Sequence, residues 1–176
     1  GNLVQAGPTE WSPQGVWVTG LGDPVRHPLH EAGMYAVQEE GSQLIAHLVG
    51  PQPGQRILDA CCGSGGKSLH LAALTHNQSS IFACDSNGRR LAEGRNRARA
   101  AGAEKIEWVE SDLSDPAWQA PQPQFDCVLL DAPCSGWGAL RRHPEAKWND
   151  PTERTEALVA LQRQLLENVA ATVAVG

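Results

Sequence analysis

The twelve residues from Arg56 to Lys67, RILDACCGSGGK, constrain the fold of this chain more than any other stretch. A short run with strand character (RILDAC) passes into three glycines and then into a helical run from Gly66 to Thr75. Glycines at such a junction let the backbone turn sharply and bring a ligand close to the amides of a helix N-terminus. The spacing excludes a phosphate-cradling P-loop, because the four residues required between its glycines are missing, and it is not GxGxxG either. Alternation then continues. Ser80 to Cys84 reads as a strand, Gly88 to Ala101 as an Arg- and Ala-rich helix closed by Gly102, and Lys105 to Val109 and Phe125 to Leu130 as strands. Thr152 to Thr172 reads as a long helix with Leu158, Leu161, Leu165 and Val169 on one face. Strand and helix in strict turn predict an α/β fold with a doubly wound parallel sheet.

In such a sheet, ligands lie beyond the carboxyl ends of the strands. Three acidic residues fall at predicted strand ends: Asp85, Asp112 and Asp131. An acid about twenty residues beyond the glycine turn, here Asp85, is where a ribose diol would be held, and Asp112 is then placed for an adenine amino group. Each feature also has a plainer reading, the glycines as a tight connection and each Asp as a helix cap. Four features converging on one crevice favour a nucleotide-type cofactor, with a nicotinamide dinucleotide as the competing ligand.

Around this core, residues 1–33 are rich in Pro, Gly and Trp and read as an irregular arm, with one short strand around Val16 to Val18, packed on the domain edge. Met34 to Val49 carries apolar residues at roughly helical spacing and ends at the Pro51 to Gly54 turn; Ser114 to Gln124, with three prolines, reads as a loop. The 176 residues suit one domain, with 34–176 as its core part. The chain begins with Gly1 and shows neither a run of about eighteen apolar residues nor a signal-peptide pattern, which reads as a cytoplasmic protein, or a nuclear or nucleolar one in a eukaryote, excised from something longer. Five cysteines without a CxxC pair argue against disulfides and structural zinc. A net charge of -6 argues against gripping nucleic acid through the overall field, leaving that task to a local basic patch.

Such a patch follows Asp131. DAPCSGWG, from Asp131 to Gly138, leads into RRHPEAKW, from Arg141 to Trp148. Arg141, Arg142, His143 and Lys147, interleaved with Trp137 and Trp148, suit phosphate contact and stacking on an extruded base; the alternative is a solvated loop whose tryptophans pack inward. The Arg residues of the helix, Arg89, Arg90, Arg95, Arg97 and Arg99, read as a solvated face.

DACCGSGGK together with DAPCSG and RRHPE-x-KW resembles the Sun and nucleolar-protein family of RNA cytosine-5 methyltransferases, from about Gly33 onward and including Gln38, Asp85, Arg90 and Asp112. The resemblance implies a Rossmann-like fold with S-adenosyl-L-methionine held by Cys61, Cys62, Gly63, Ser64, Gly65, Gly66 and Lys67, its ribose on Asp85, and further contacts from Arg90, Asp112 and Asp131. RNA is the implied partner and methyl transfer to carbon 5 of a cytosine, in ribosomal or transfer RNA, the implied reaction. Where the family usually has Ala-Pro, this chain has Gly63 and Ser64, which removes the fixed φ of proline and loosens the loop.

Carbon 5 of cytosine is too weak a nucleophile to accept a methyl group unaided, so a thiolate adds first at carbon 6. In the family the adding thiol sits on the next strand in a Thr-Cys motif, while the DAPC cysteine, here Cys134, assists product release. No Thr-Cys pair occurs up to Gly176, and Val175 and Gly176 align with the turn leading to its strand. Cys134 is therefore either the release residue or, as in the Pro-Cys motif of DNA cytosine-5 methyltransferases, the nucleophile itself. The catalytic domain is expected to be incomplete, with the strand at Phe125 left as an open edge prone to self-association or completion by other residues. A non-catalytic module that binds S-adenosylmethionine or RNA is the alternative function.

Overall fold

The computed structural model describes residues 3–139 and 151–175. In chain order, β1 (Gln5–Pro8) and β2 (Val16–Thr19) form an antiparallel hairpin, followed by a short α1 (Pro28–Glu31) and α2 (Glu40–Val49). Then come β3 (Arg56–Ala60), α3 (Gly66–Leu74), β4 (Ser80–Asp85), α4 (Gly88–Ala100), β5 (Ile106–Glu110) and β6 (Cys127–Leu130). A 3-10 turn (Trp137–Ala139) and α5 (Pro151–Ala170) follow. The expected α/β sheet is present: four parallel strands in the order β5-β4-β3-β6.

Strand periodicity explains the two core layers. In β3, Ile57 joins Ala46, Leu71, Ala72 and Ile81 on the face covered by α2, α3 and α4, while its neighbours Leu58 and Ala60 face Phe82, Phe125, Leu165 and Val169 on the α5 side. Phe82 and Phe125 meet edge to face with centroids 5.5 Å apart. Because β3 is flanked by β4 on one side and β6 on the other, the chain reverses direction across the sheet at β3. A crevice opens at that switch point, over the carboxyl end of the strand.

Three expectations change. The helix predicted from Met34 begins only at Glu40: Gly33, at φ 72°, packs against the backbone of Ala100, and Met34 and Val37 point outward, 72% and 49% exposed, so their apolar spacing faces no core. The arm contains a second strand, β1, whose pairing with β2 no local signal announced. It docks on α2, where the Glu40 carboxylate accepts from the amides of Trp11 (2.5 Å) and Ser12 (2.9 Å); these hydrogen bonds hold its carboxyl below the ordinary range. Finally, the edge is paired at one position, Phe125, while β6 still has only β3 as its partner among the described strands. The Phe125 N–H donates to the Thr172 carbonyl (2.8 Å), and its own carbonyl accepts from Ala174 (2.8 Å), so the backbone leaving α5 already pairs in parallel at Val173.

Candidate functional site

The junction of β3 and α3 is built on backbone conformations that few residues tolerate. Cys61, Gly63 and Gly65 all lie at positive φ, 64°, 59° and 75°. The loop is tied down from three sides. Cys62 N–H donates to the carbonyl of Cys84 at the end of β4 (2.8 Å), Gly63 N–H donates to Asp85 Oδ2 (2.8 Å), and Gly65 N–H closes a turn on the Cys62 carbonyl (2.9 Å). Trp108 on β5 lies so close to Gly65 that a Cβ there would sit 2.2 Å from its ring.

Above the loop is an open cleft of about 280 Å³, lined among others by Gln38, Asp59, Cys61, Ser64, Lys67 and Asp131. Asp59 forms its floor. This carboxyl is fully buried; Oδ2 accepts from the Ser68 hydroxyl at 2.5 Å, while Oδ1 has no hydrogen-bond partner. Burial pushes it up to about 7, against the pull of the Ser68 hydrogen bond and of the Lys67 charge. At the rim, Lys67 Nζ and Asp131 Oδ2 form an ion pair of 2.6 Å. The cleft therefore offers acidic groups to a cation, with one ammonium at the edge and the free amides of the first turn of α3 for an anionic end. A zwitterionic ligand carrying an additional positive charge fits that donor set.

Of the residues singled out in the sequence, Cys61, Cys62, Ser64, Gly66, Lys67 and Asp131 line the cleft directly, and Gly63 and Gly65 shape its loop. Asp85, at the last position of β4, spends Oδ2 on Gly63 and Oδ1 on the Asn87 amide (2.9 Å), so it organises the loop backbone from beneath. Arg90 is exposed in the first turn of α4. Asp112 is exposed and folds back on Ser114, accepting from its amide (2.9 Å) and hydroxyl (2.6 Å), and these bonds hold its carboxyl below the usual carboxylate range. Cys134 is exposed on the loop after β6, where the Pro133 carbonyl accepts from Gln162 Nε2 of α5 (2.7 Å). Arg141, Arg142, His143 and Lys147, with Trp148, lie outside the described residues.

Asp59, which in the sequence only begins the glycine loop, turns its carboxyl inward; its even-numbered offset from Ile57 in a buried strand sends it to the α3 side. Arg97, expected on a solvated face, lines the cleft.

The thiols of the site differ in chemistry. Burial and the surrounding carboxylates push Cys61 up to about 12, the same causes raise Cys62, and burial pushes Cys84 up to about 12. Since the thiolate is the reactive form, brief treatment with iodoacetamide at pH 7.5 is expected to label the exposed Cys134 first, with Cys61, Cys62 and Cys84 at least tenfold slower. Peptide mass spectrometry reads this directly, and labelling of Cys61 or Cys62 at the rate of Cys134 would contradict the structural role of the loop thiols.

A family model described as 16S rRNA methyltransferase RsmB/F matches residues 46–176. A probable ribosomal RNA small subunit methyltransferase B from Synechocystis is 35% identical over 165 residues, 93% of this chain and 37% of that protein. A 28S rRNA (cytosine-C(5))-methyltransferase from Mus musculus is 37% identical over 143 residues, 80% of this chain and 31% of that protein. Among solved structures, NSun6 from Pyrococcus horikoshii with SFG superposes with a TM-score of 0.74 at 25% identity, covering 85% of this chain and 38% of the other. The chain thus spans about a third of the length of the curated relatives it matches. No helix among the described residues is long and apolar enough to cross a membrane.

Proposed function

Because the chain belongs to the RsmB/F family of 16S rRNA methyltransferases, we propose that its cleft binds S-adenosylmethionine and serves methyl transfer to carbon 5 of a cytosine in RNA. The observation that carries this reading is the buried Asp59, with one oxygen unpartnered, lining a cleft that Lys67 and Asp131 also line as an ion pair. An unpaired buried carboxyl costs about 1–3 kcal/mol, a cost relieved when a cationic ligand group supplies the missing donor. The structural relative with SFG, an analogue of S-adenosylmethionine, supports the same ligand class.

S-adenosylmethionine supplies an electrophilic methyl group. This chain's own residues bind and orient. The loop from Cys61 to Lys67 carries the cofactor, Asp85 keeps that loop in place and presents its remaining lone pairs to a ribose, and Arg90 and Asp112 stand at neighbouring strand and helix ends for outer contacts. Asp131 gives a further contact to the cofactor at the cleft rim, with Lys67 holding its carboxylate in position. Cys134, three residues on, is the thiol that assists release of the methylated base. Arg141, Arg142, His143 and Lys147 contact the RNA backbone. The protein then works where its RNA is, in the cytoplasm or, in a eukaryote, in the nucleus or nucleolus.

Calorimetric titration tests the reading. Saturable one-to-one binding of S-adenosylmethionine, with no binding of NAD, is expected; binding of NAD in its place would overturn the assignment. Trapping with RNA containing 5-fluorocytosine then separates the two roles of Cys134: a covalent adduct abolished by Cys134→Ala would make it the attacking thiol and overturn its assignment to release.

A further inference from the structure

Arg97 sits in the last turns of α4, among arginines that otherwise face water or serve nearby backbone: Arg89 meets Glu93 at 3.7 Å, and Arg95 donates to the Trp108 carbonyl (2.9 Å). Arg97 instead reaches back across the fold. Its Nη1 donates to the Ser64 carbonyl (3.2 Å) and lies 3.4 Å from Ser64 Oγ, thirty-three positions away in sequence. The guanidinium is half-buried, lines the cleft, and loses basicity through that desolvation. Holding a cation there is unfavourable unless its donors are used.

Ser64 is flanked by glycines on both sides. Gly63 and Gly65 on either side adopt positive φ, and a Cβ on Gly63 would meet nothing within 4 Å. Asp85 secures the amide of Gly63 and Trp108 bounds Gly65, but the Ser64 carbonyl and hydroxyl are gripped from α4. A glycine-flanked segment loses much backbone entropy when ordered by a ligand, and contacts that order it beforehand reduce that loss.

We propose that Arg97 is a positioning residue for the cofactor loop, fixing Ser64 so that the loop is already in its ligand-binding geometry before the cofactor arrives. This rests on the cofactor reading above, and adds to it the element that supplies the rigidity the two glycines lack. Arg97 acts through Ser64 and takes no part in the chemistry.

The whole 176-residue chain is titrated with S-adenosylmethionine, in parallel with hydrogen exchange of the ligand-free protein. Arg97→Met is expected to weaken binding about tenfold, with Arg97→Lys recovering part of the loss and Ser64→Ala falling between wild type and Arg97→Met. Amides of Gly63, Ser64 and Gly65 should exchange faster in ligand-free Arg97→Met while those of β3 and β4 stay protected. Should Arg97→Met lose global protection, Arg97→Lys, which keeps the charge and the stem but not the guanidinium fork, carries the comparison, read by loop exchange in the ligand-free chain. Unchanged affinity and unchanged loop exchange in these variants would overturn the role of Arg97. Failure of the wild-type chain to bind S-adenosylmethionine would overturn the cofactor reading instead, and the exchange data would still report whether Arg97 orders the loop.

Discussion

Gly65→Ala is expected to eliminate measurable S-adenosylmethionine binding and to lower the stability of the chain by about 3 kcal/mol or more. Two independent penalties combine at this position. The backbone sits at φ 75°, where an L side chain costs about 1–2 kcal/mol, and a Cβ would lie 2.2 Å from Trp108 Cη2 and 2.7 Å from Cζ3. Gly94 also packs closely on the indole and limits its movement, since a Cβ there would be only 2.3 Å from the same Cζ3. The loop must therefore move, carrying Ser64 and Gly66 of the cleft wall with it. Gly63→Ala isolates the conformational part: φ is 59° there, yet nothing lies within 4 Å of the added carbon, so only the backbone penalty of about 1–2 kcal/mol should appear. Urea unfolding and calorimetry measure both; equal effects for the two substitutions would show that the Trp108 contact does not shape the site.

The second large effect is a stability that declines from acid toward neutral pH, and its removal by Asp59→Asn. The folded chain holds the Asp59 carboxyl at about 7, whereas the unfolded chain ionises it near the ordinary carboxylate value of 3.8. Between those limits the folded state binds the proton more tightly, so ΔG of unfolding falls as pH rises. Its contribution is complete below about pH 4 and gone above about pH 7. A shift of this size corresponds to a few kcal/mol across the window, by the rule of about 1.4 kcal/mol per unit. Asp126, Asp112 and Glu40 work in the opposite sense and at lower pH, since hydrogen bonds hold their carboxyls below the ordinary range. Asparagine keeps an acceptor for the Ser68 hydroxyl and cannot ionise, so Asp59→Asn should match wild type near pH 4 and exceed it by a few kcal/mol at pH 8. Cofactor binding at pH 6.5 should also release a proton from wild type, read from calorimetry in buffers of different ionisation enthalpy. A flat wild-type stability curve from pH 4 to 7 would contradict the buried, unpaired state of Asp59.

Several elements were legible because their signals are local. The loop at Gly63–Gly66 announces itself by residue type, and β3 and β4 are short buried runs whose alternate residues fall into the two core layers. The start of α2 was not legible, since Met34 and Val37 mimic helical spacing while lying on an extended segment directed outward by Gly33. Nor was β1, whose residues Gln5–Pro8 include a proline and gain strand geometry only from their partner β2.

The site divides in the same way. By itself the sequence determined the α/β class, the glycine turn that feeds α3, and the acids that end β4 and β6, because conformational preference and binary pattern act over a few residues. Only tertiary structure decided that Asp59 would be dry and unpaired, that both oxygens of Asp85 would serve backbone amides, and that Arg97 would reach Ser64. Those outcomes depend on which groups from distant positions share one low-dielectric space. Desolvation and pairing are set by the neighbours present there, and periodicity along the chain carries no record of them.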